Sequence, residues 1–187
     1  MSLINKEVAD FTASAYQADK FITVSKKDIL GKWSVFMFYP ADFTFVCPTE
    51  LSDLNDQYEA FKKIGCEVFS VSTDSQFVHK AWHDASETIR ALRFPMLSDS
   101  NHELSRDFGV LIEKAGQAER GTFVVDPDGR IKAYEVVDGN IGRNAEELLR
   151  QVEALQYVRE HGDLACPARW KPGKKTLKPG IDLVGKI

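Results

Sequence analysis

The residues with the most distinctive chemistry in this chain are three cysteines, Cys47, Cys66 and Cys166. No Cys-x-x-Cys pair is present, so the sequence contains neither a local zinc ribbon nor a thioredoxin-type redox pair. An odd number of cysteines without a visible secretion signal argues for reduced thiols rather than a structural disulfide framework. Any dithiol chemistry must therefore join cysteines that are far apart in the sequence.

Cys47 lies between an apolar, aromatic-rich run, which stops at Pro40, and the start of a helical pattern. The free N–H groups and partial positive charge of a helix N-terminus favour the thiolate, which is the nucleophilic form of cysteine. The Thr44 hydroxyl, one turn earlier, is placed to hydrogen-bond a bound substrate or the sulfur, and Pro48 would shield the sulfur from water. The alternative interpretation of Cys47 is that it is only a small, buried apolar residue that packs beneath its aromatic neighbours.

The other candidate residues have simpler interpretations. Cys66 opens a predicted central strand, where an inert core thiol is expected. His79 and His83 are spaced i, i+4 on a predicted helix with Glu87 one turn further, which would allow a metal site. The favoured alternative is a pair of exposed histidines on a solvated helical face, so no bound metal is expected.

Periodicity and turn signals predict the elements that must position these residues. The first is a buried strand at 33–39, followed by a helix from Cys47 to about Gly65 with Pro48 in its first turn. A second buried strand at 66–72 precedes a helix with apolar positions Phe77, Ala81, Ala85 and Ile89. A hairpin at 121–136 and a helix that begins at a capping-box pair, Asn144 and Glu147, complete the series. This alternation predicts an α/β domain with a mixed central sheet.

The overall composition excludes several classes of protein. The formal net charge is −4 and no Lys/Arg stripe is present, which argues against a nucleic-acid partner. No apolar run approaches the roughly 18 residues of a membrane span, and no basic segment followed by an apolar stretch marks a signal peptide. We therefore expect a cytoplasmic protein that binds neither nucleic acid nor a membrane.

The composition changes near Asp163. From that residue onward the chain is rich in Pro, Gly and Lys and carries six basic and two acidic residues, whereas the preceding part carries 18 and 26. We therefore predict a globular domain at 1–162 and an extended C-terminal arm at 163–187. The mildly basic arm could dock on an acidic surface of its own or another subunit, although a solvated tail is the simpler alternative.

One stretch of sequence points to a known family. The segment Phe-Tyr-Pro-Ala-Asp-Phe-Thr-Phe-Val-Cys-Pro-Thr-Glu at 38–50 resembles the active-site signature of the peroxiredoxins, and in particular of their typical two-cysteine class. The stretches 84–88, 122–127 and 182–187 resemble the bacterial alkyl hydroperoxide reductases within that family. The resemblance implies a thioredoxin-like fold with helices flanking the sheet, and a peroxidase that reduces hydrogen peroxide and organic hydroperoxides to water and alcohols, serving antioxidant defence.

The resemblance also implies the residues of the site. Cys47 would be the peroxidatic cysteine, whose thiolate attacks the peroxide and becomes a sulfenic acid. Arg120 suits this site because a guanidinium both stabilises a thiolate and donates to the departing oxygen. The family implies that Thr44 binds peroxide together with Arg120. Pro40 and Pro48 would form the walls of the site. Glu50 and Arg143 would form a supporting ion-pair network.

Cys166 matches the family's resolving cysteine. The resemblance implies that Cys166 forms a disulfide with Cys47 of another subunit, within a homodimer that assembles further into a decamer of five dimers. It implies no bound cofactor. Electrons would come from NADH through a partner flavoprotein disulfide reductase, with a thioredoxin-type donor as a substitute.

The sequence departs from the peroxide-sensitive members of the family. Those members carry a Gly-Gly-Leu-Gly insertion before the strand that corresponds to 94–97 and a Tyr-Phe pair in the C-terminal helix. Here 87–95 contains no such insertion, and no Tyr or Phe follows Cys166. Rapid disulfide closure and resistance to overoxidation are therefore expected. Two other functions stay open, a general thiol–disulfide oxidoreductase and a ring-forming holdase without catalysis.

Overall fold

The two apolar runs expected to be buried strands lie side by side in the centre of the main sheet. They are β3 (Trp33–Phe38), whose six residues are all buried, and β4 (Cys66–Ser72), which pairs with β3 in parallel. This computed structural model describes residues 2–186, so Met1 and Ile187, the outer limits of the predicted domain and arm, lie outside the described residues. The predicted α/β class with a mixed sheet is confirmed.

Seven strands form the main sheet in the order β2-β1-β5-β4-β3-β8-β9. The pairs β3–β4 and β4–β5 are parallel and the other pairs are antiparallel. The remaining strands are β1 (Thr12–Gln17), β2 (Lys20–Ser25), β5 (Met96–Ser98), β8 (Arg120–Val125) and β9 (Ile131–Val137), with β6 (Leu111–Ile112) and β7 (Gln117–Ala118) in a separate ribbon. The predicted hairpin at 121–136 is β8–β9.

The helices include the three that were predicted, in the predicted order and with two of them interrupted, and two short ones that were not predicted. They are α1 (Lys26–Ile29), α2 (Cys47–Asp56), α3 (Tyr58–Lys63), α4 (Gln76–Ala85), α5 (Glu87–Arg90), α6 (Glu103–Asp107) and α7 (Ala145–Glu160). The helix expected from Cys47 to Gly65 is divided at Gln57. The helix expected around Phe77 to Ile89 is divided at Ser86, whose extended backbone ends α4 and whose hydroxyl caps α5 by accepting from the Ile89 N–H.

The prediction of which face of α4 is buried was wrong. Phe77 is 64% exposed, whereas His79 and Trp82 are the buried residues of this helix. The expectation that both histidines are exposed was also wrong, because His79 is fully buried. Hydrophobic periodicity predicted the apolar Phe77 in the core and the polar His79 on the surface. His79 is buried instead because its imidazole forms hydrogen bonds inside the protein.

The β1–β2 hairpin was not predicted from the sequence. Its two turn residues, Ala18 and Asp19, have φ angles of +48° and +61°. Such two-residue turns are usually recognised by Asn-Gly or a similar pair, because Gly and Asn adopt positive φ easily. Ala-Asp carries no such signal.

The pairing of β3 with β8 determines where the active-site loop and its arginine meet. Met37 is opposite Thr122, so the C-terminal end of β3 and the start of β8 lie at the same end of the sheet. Phenylalanine rings stabilise this region, with neighbouring centroids 4.8 to 5.7 Å apart. They are Phe36, Phe38, Phe69, Phe108 and Phe123.

The chain divides into two compact units, Met1–Ala145 and Glu146–Ile187. The second unit consists of α7, apart from its first residue, and the segment that follows it. In that segment the structure shows turns, an isolated bridge between Ala165 and Leu177, and a 3₁₀ turn at Ile181–Leu183. Within residues 2–186, no helix has the length and apolar content needed to cross a membrane.

Candidate active site

Cys47 is the first residue of α2 and is fully buried. Pro48 occupies the first turn, where its missing N–H leaves no hydrogen bond unmade. The preceding turn is closed by Thr49, whose N–H and hydroxyl donate to the Val46 carbonyl at 3.0 and 2.6 Å. The sulfur therefore sits at the positive end of the α2 dipole, as the sequence predicted.

Arg120, the first residue of β8, contacts the Cys47 sulfur. Its Nη1 lies 3.2 Å from Sγ and also donates to Glu50 Oε2 at 2.7 Å, while its Nε donates to the Gly139 carbonyl at 2.7 Å. The guanidinium is only 5% exposed. Three hydrogen bonds from two nitrogens thus hold the cation in one position against the sulfur.

Glu50 binds a second arginine. Arg143 donates from Nε and from its backbone N–H to Oε1, at 2.7 and 3.0 Å, and from Nη2 to Oε2 at 3.0 Å. Its Nη1 donates to the Gly121 carbonyl and the Thr122 hydroxyl. Burial alone would raise the pKa of the Glu50 carboxyl, but the hydrogen bonds and charge of Arg143, together with the charge of Arg120, outweigh it and hold that pKa below its usual value.

This cluster carries a charge that favours a thiolate. Two guanidinium cations and one carboxylate leave a net charge of +1 in a region where the three side chains are 1–5% exposed. A buried charge is costly unless it is paired. Ionisation of Cys47 would supply the missing negative charge beside Arg120. The structure therefore brings together four predicted residues, Cys47, Glu50, Arg120 and Arg143.

The loop between β3 and α2 contains the other predicted site residues. Pro40 and Pro48 are half-buried on either side of it. The Thr44 hydroxyl donates to the Ala41 carbonyl at 2.8 Å, so its single proton is engaged within the loop and its oxygen is left as an acceptor. Phe43 adopts a φ of +56°, which is uncommon for a bulky residue and shows that the surrounding contacts enforce the shape of the loop.

A buried pair that the sequence analysis missed supports the same loop. Asp42 accepts from the Tyr39 hydroxyl at 2.7 Å, and its second oxygen lies 2.7 Å from His79 Nδ1. His79 Nε2 lies 3.1 Å from the Leu97 carbonyl. Both ring nitrogens of His79 thus face oxygen atoms, and these two contacts hold the ring between the loop and β5. The signal in the sequence was a carboxylate in the motif and a histidine on α4.

The metal site considered at His79, His83 and Glu87 does not fit these contacts, since both nitrogens of His79 are already engaged. Among residues 2–186, the group of three possible ligand atoms that all lie within 4.8 Å of one another belongs to Asp19, His83 and Asp84. There His83 Nδ1 lies 3.1 Å from the Tyr16 hydroxyl, and Asp84 pairs with Lys80.

The other two cysteines have different environments. Cys66 is buried at the start of β4, and burial raises the pKa of its thiol far above the usual value. That thiol stays neutral and unreactive. Cys166 belongs to the second unit, where it is half-buried and its sulfur lies 3.9 Å from the Ala154 carbonyl oxygen.

Comparison with known proteins assigns this arrangement to a family. A family model described as the AhpC/TSA family matches residues 4–134, and one described as the C-terminal domain of 1-Cys peroxiredoxin matches residues 154–182. Alkyl hydroperoxide reductase C of Bacillus subtilis is 54% identical over 187 residues, with both chains covered completely. Alkyl hydroperoxide reductase C of Staphylococcus aureus (strain Mu50) is 53% identical over 189 residues, again with complete coverage of both chains.

Solved structures agree with this assignment. The crystal structure of Enterococcus faecalis AhpC has a TM-score of 0.87 and 57% identity, and the match covers 89% of this chain and 100% of that one. The reduced 2-Cys peroxiredoxin of Plasmodium vivax has a TM-score of 0.90 and 31% identity, covering 97% and 96%. On this evidence the chain belongs to the AhpC/TSA family and is a peroxiredoxin, a peroxidase with a thioredoxin-like fold.

Proposed function

We propose that this peroxiredoxin reduces hydrogen peroxide and organic hydroperoxides to water and alcohols, with Cys47 as the nucleophile and Cys166 as the resolving cysteine. The observation that carries the proposal is the 3.2 Å contact between Arg120 Nη1 and the Cys47 sulfur, within a buried cluster of net charge +1. A guanidinium held there stabilises both the attacking thiolate and the oxygen that leaves.

In the first step the Cys47 thiolate attacks one peroxide oxygen. The S–O bond forms, the O–O bond breaks, and the departing oxygen takes a proton and leaves as water or an alcohol. Arg120 donates to the peroxide oxygens as negative charge develops. The Thr44 oxygen accepts from the peroxide O–H, since the Thr44 proton is donated to Ala41. Pro40 and Pro48 line the approach, while Glu50 and Arg143 hold Arg120 in place.

In the second step the sulfenic acid must become accessible. The Cys47 sulfur has no exposed surface in the folded chain, so a second sulfur reaches it only if the first turn of α2 unwinds. Cys166 of a second copy of the chain then attacks, the disulfide forms and water leaves. The half-buried position of Cys166, in a segment of turns and few regular hydrogen bonds, supports this role.

In the third step an external dithiol reduces the disulfide. We infer that the electrons come from NADH through a flavoprotein disulfide reductase, with a thioredoxin-type donor as a substitute, and that no cofactor is bound to this chain. The relatives named alkyl hydroperoxide reductase C support such a partner, since a reductase of hydroperoxides must itself be reduced after each turnover. We also propose a cytoplasmic site of action, in antioxidant defence and redox homeostasis.

The proposed assembly is a homodimer that forms a decamer of five dimers. Two surfaces are suited to contacts between copies. The rings of Phe21 and Phe77, exposed by 50% and 64%, contact each other with centroids 5.1 Å apart. β9 forms one edge of the main sheet and exposes Tyr134 and Val136. We retain 1–162 as the peroxidase domain and 163–187 as the arm that carries the resolving cysteine.

The test is a non-reducing gel with intact-mass measurement after about one equivalent of hydrogen peroxide. Wild type, Cys47→Ser and Cys166→Ser are compared. The expected result is a covalent dimer near twice the 21.0 kDa chain mass, lost in both variants. A wild type that stays monomeric and gains oxygen only on Cys47 would instead establish a one-cysteine mechanism and remove the role of Cys166.

Two further assays separate the alternative functions. A general thiol–disulfide oxidoreductase would reduce insulin at a rate comparable to its peroxidase turnover, and we expect none. A holdase would protect a client protein from aggregation after Cys47→Ser has abolished peroxidase activity. Protection of that kind would add a second role for the oligomer without changing the first.

A further inference from the structure

The second unit of the chain holds Cys166 close to the middle of α7. The Cys166 sulfur lies 3.9 Å from the carbonyl oxygen of Ala154. The neighbouring Ala165 exchanges two backbone hydrogen bonds with Leu177, at 2.8 and 2.9 Å, which fix the chain on one side of the cysteine. The thiol therefore has a defined position within this unit.

Arg150 fixes the chain on the other side. It lies one turn before Ala154 on the same face of α7. Its Nη1 donates to the Trp170 carbonyl at 3.0 Å, four residues beyond Cys166. The indole of Trp170 is itself buried and packs on Tyr157, with centroids 4.9 Å apart.

A carboxylate determines the orientation of Arg150. Glu147 accepts from Nε and Nη2 at 2.7 and 2.6 Å, so the guanidinium plane is held by one bidentate pair and one backbone acceptor. The Arg150 side chain is 20% exposed, against 48% for Glu147. The cation thus lies on the buried side of this pair, where its charge is less screened.

We propose that Arg150 positions the Cys166 thiol and favours its thiolate in the step that closes the disulfide. The inference rests on the proposed function, in which Cys166 is the resolving cysteine. In that step the Cys166 sulfur bonds to the Cys47 sulfur, the S–O bond of the sulfenic acid breaks, and the departing hydroxide takes a proton to become water. Cys47 is reduced and Cys166 is oxidised, so the step needs no other oxidant.

The electrostatics of this unit support that role. Burial raises the pKa of the Cys166 thiol, and the Arg150 charge acts in the opposite direction. The charge that acts on the thiol is that of Arg150, whose own partner on α7 is Glu147. On the arm, Asp163 pairs with Lys178 at 3.2 Å, and Lys171 pairs with Glu146 at 2.9 Å, both on the exposed surface.

The test measures disulfide formation after one equivalent of hydrogen peroxide, by rapid quench and intact mass, between pH 6 and 10. Arg150→Met should close the disulfide several-fold more slowly at pH 7, because the Arg150 charge opposes the effect of burial and its loss leaves less of the thiol ionised. The rate should return towards that of wild type at the alkaline end of this range, where the thiol ionises without help. Formation of the Cys47 sulfenic acid should keep its wild-type rate.

Control variants separate charge from simple loss of structure. Arg150→Lys keeps the charge and should keep most of the rate at pH 7. Arg159→Met, which removes an exposed cation from the last turn of the same helix, should behave as wild type. Glu147→Gln keeps an acceptor oxygen for Arg150, whose bond to the Trp170 carbonyl also remains, but removes the neutralising charge. It should therefore speed closure at pH 7, and this variant carries the test if Arg150→Met does not fold.

Three results would overturn the proposal. They are equal closure rates for wild type and Arg150→Met at pH 7, a slowing of Arg150→Met that is the same at every pH, and a Glu147→Gln rate at pH 7 that does not rise. Failure of the proposed function itself looks different, because wild type would then form no disulfide between Cys47 and Cys166 at any pH.

Discussion

The Nη1 atom of Arg120 lies 3.2 Å from the sulfur of Cys47, although 73 positions separate the two residues in the chain. Neither side chain reaches solvent to any useful extent, since Cys47 is 0% and Arg120 4% exposed. A cation and a thiol that meet in a buried site interact more strongly than they would in water. The reactivity of this peroxiredoxin should therefore depend on this contact and on the groups that maintain it.

Replacing Arg120 by Met should lower kcat/KM for hydrogen peroxide by about 10²–10³-fold, because the lost donor acts on charge that develops in the transition state. Stopped-flow measurement of Cys47 oxidation gives the rate directly. Arg130→Met is the matched control, since Arg130 is half-exposed at the far end of the β8–β9 hairpin. A loss of less than threefold for Arg120→Met would show that the contact is not catalytic.

Replacing Glu50 by Gln should destabilise the protein and change its response to acid. Removing one partner of a buried ion pair costs about 3–5 kcal/mol in free energy of unfolding. The pKa of Glu50 is lowered in the folded protein. The carboxylate therefore contributes stability that is complete above its unfolded pKa, about 4.3, and is lost as the pH falls through the lower folded value.

Urea unfolding of wild type and Glu50→Gln at several pH values between 7 and 3 measures both effects. The difference in free energy of unfolding between wild type and Glu50→Gln should be largest at pH 7. It should shrink below about pH 4.3, where wild type begins to lose the contribution of the Glu50 carboxylate. The exposed Glu119→Gln serves as the control and should track wild type. A constant difference down to pH 3 would contradict the assignment of a lowered pKa.

Thr44→Val should reduce peroxide reactivity, by about tenfold or more, because the valine offers no oxygen to accept from the peroxide O–H. Thr44→Ser keeps the hydroxyl and should retain most of the rate. Thr49 offers a close comparison, since its hydroxyl also donates to a carbonyl in the same region, at 2.6 Å to Val46. If Thr49→Val lost as much activity as Thr44→Val, the effect would be one of loop structure.

His79→Leu should lower the free energy of unfolding by about 3–5 kcal/mol, because it leaves the Asp42 carboxylate buried without its partner. The double variant with Asp42→Asn should recover part of that loss, since no buried charge then remains. Chemical denaturation of the two single variants and the double variant gives the coupling energy. Additive losses would indicate that the two residues do not act as a pair.

Overoxidation should be slow in this protein. Residues 87–95 lack the Gly-Gly-Leu-Gly insertion of the peroxide-sensitive members, so disulfide closure should outcompete a second attack by peroxide. Mass spectrometry during turnover at micromolar hydrogen peroxide should find little sulfinic acid on Cys47. Cys166→Ser, which cannot close the disulfide, should accumulate it. Abundant sulfinic acid in wild type would refute the expectation.

Several elements could be predicted because their signals are local. The runs at 33–39 and 66–72 are apolar and β-rich, and Pro48 after Cys47 is typical of a first helical turn, so β3, β4 and the start of α2 follow from neighbouring residues. The β1–β2 hairpin was missed because Ala18 and Asp19 carry no turn signal. His79 was placed on the surface because a polar residue is expected there unless a partner is known.

The sequence by itself determined β3, β4, the β8–β9 hairpin and the start of α2, because these depend on neighbouring residues, and one motif predicted Cys47 as the nucleophile. Arg120, Glu50 and Arg143 entered only through the family resemblance, since a single arginine carries no local signal. Only the tertiary structure decided that these three meet at Cys47 and that Asp42 meets His79. Those contacts join positions 37 to 93 residues apart, and they depend on strand order and packing, which periodicity does not encode.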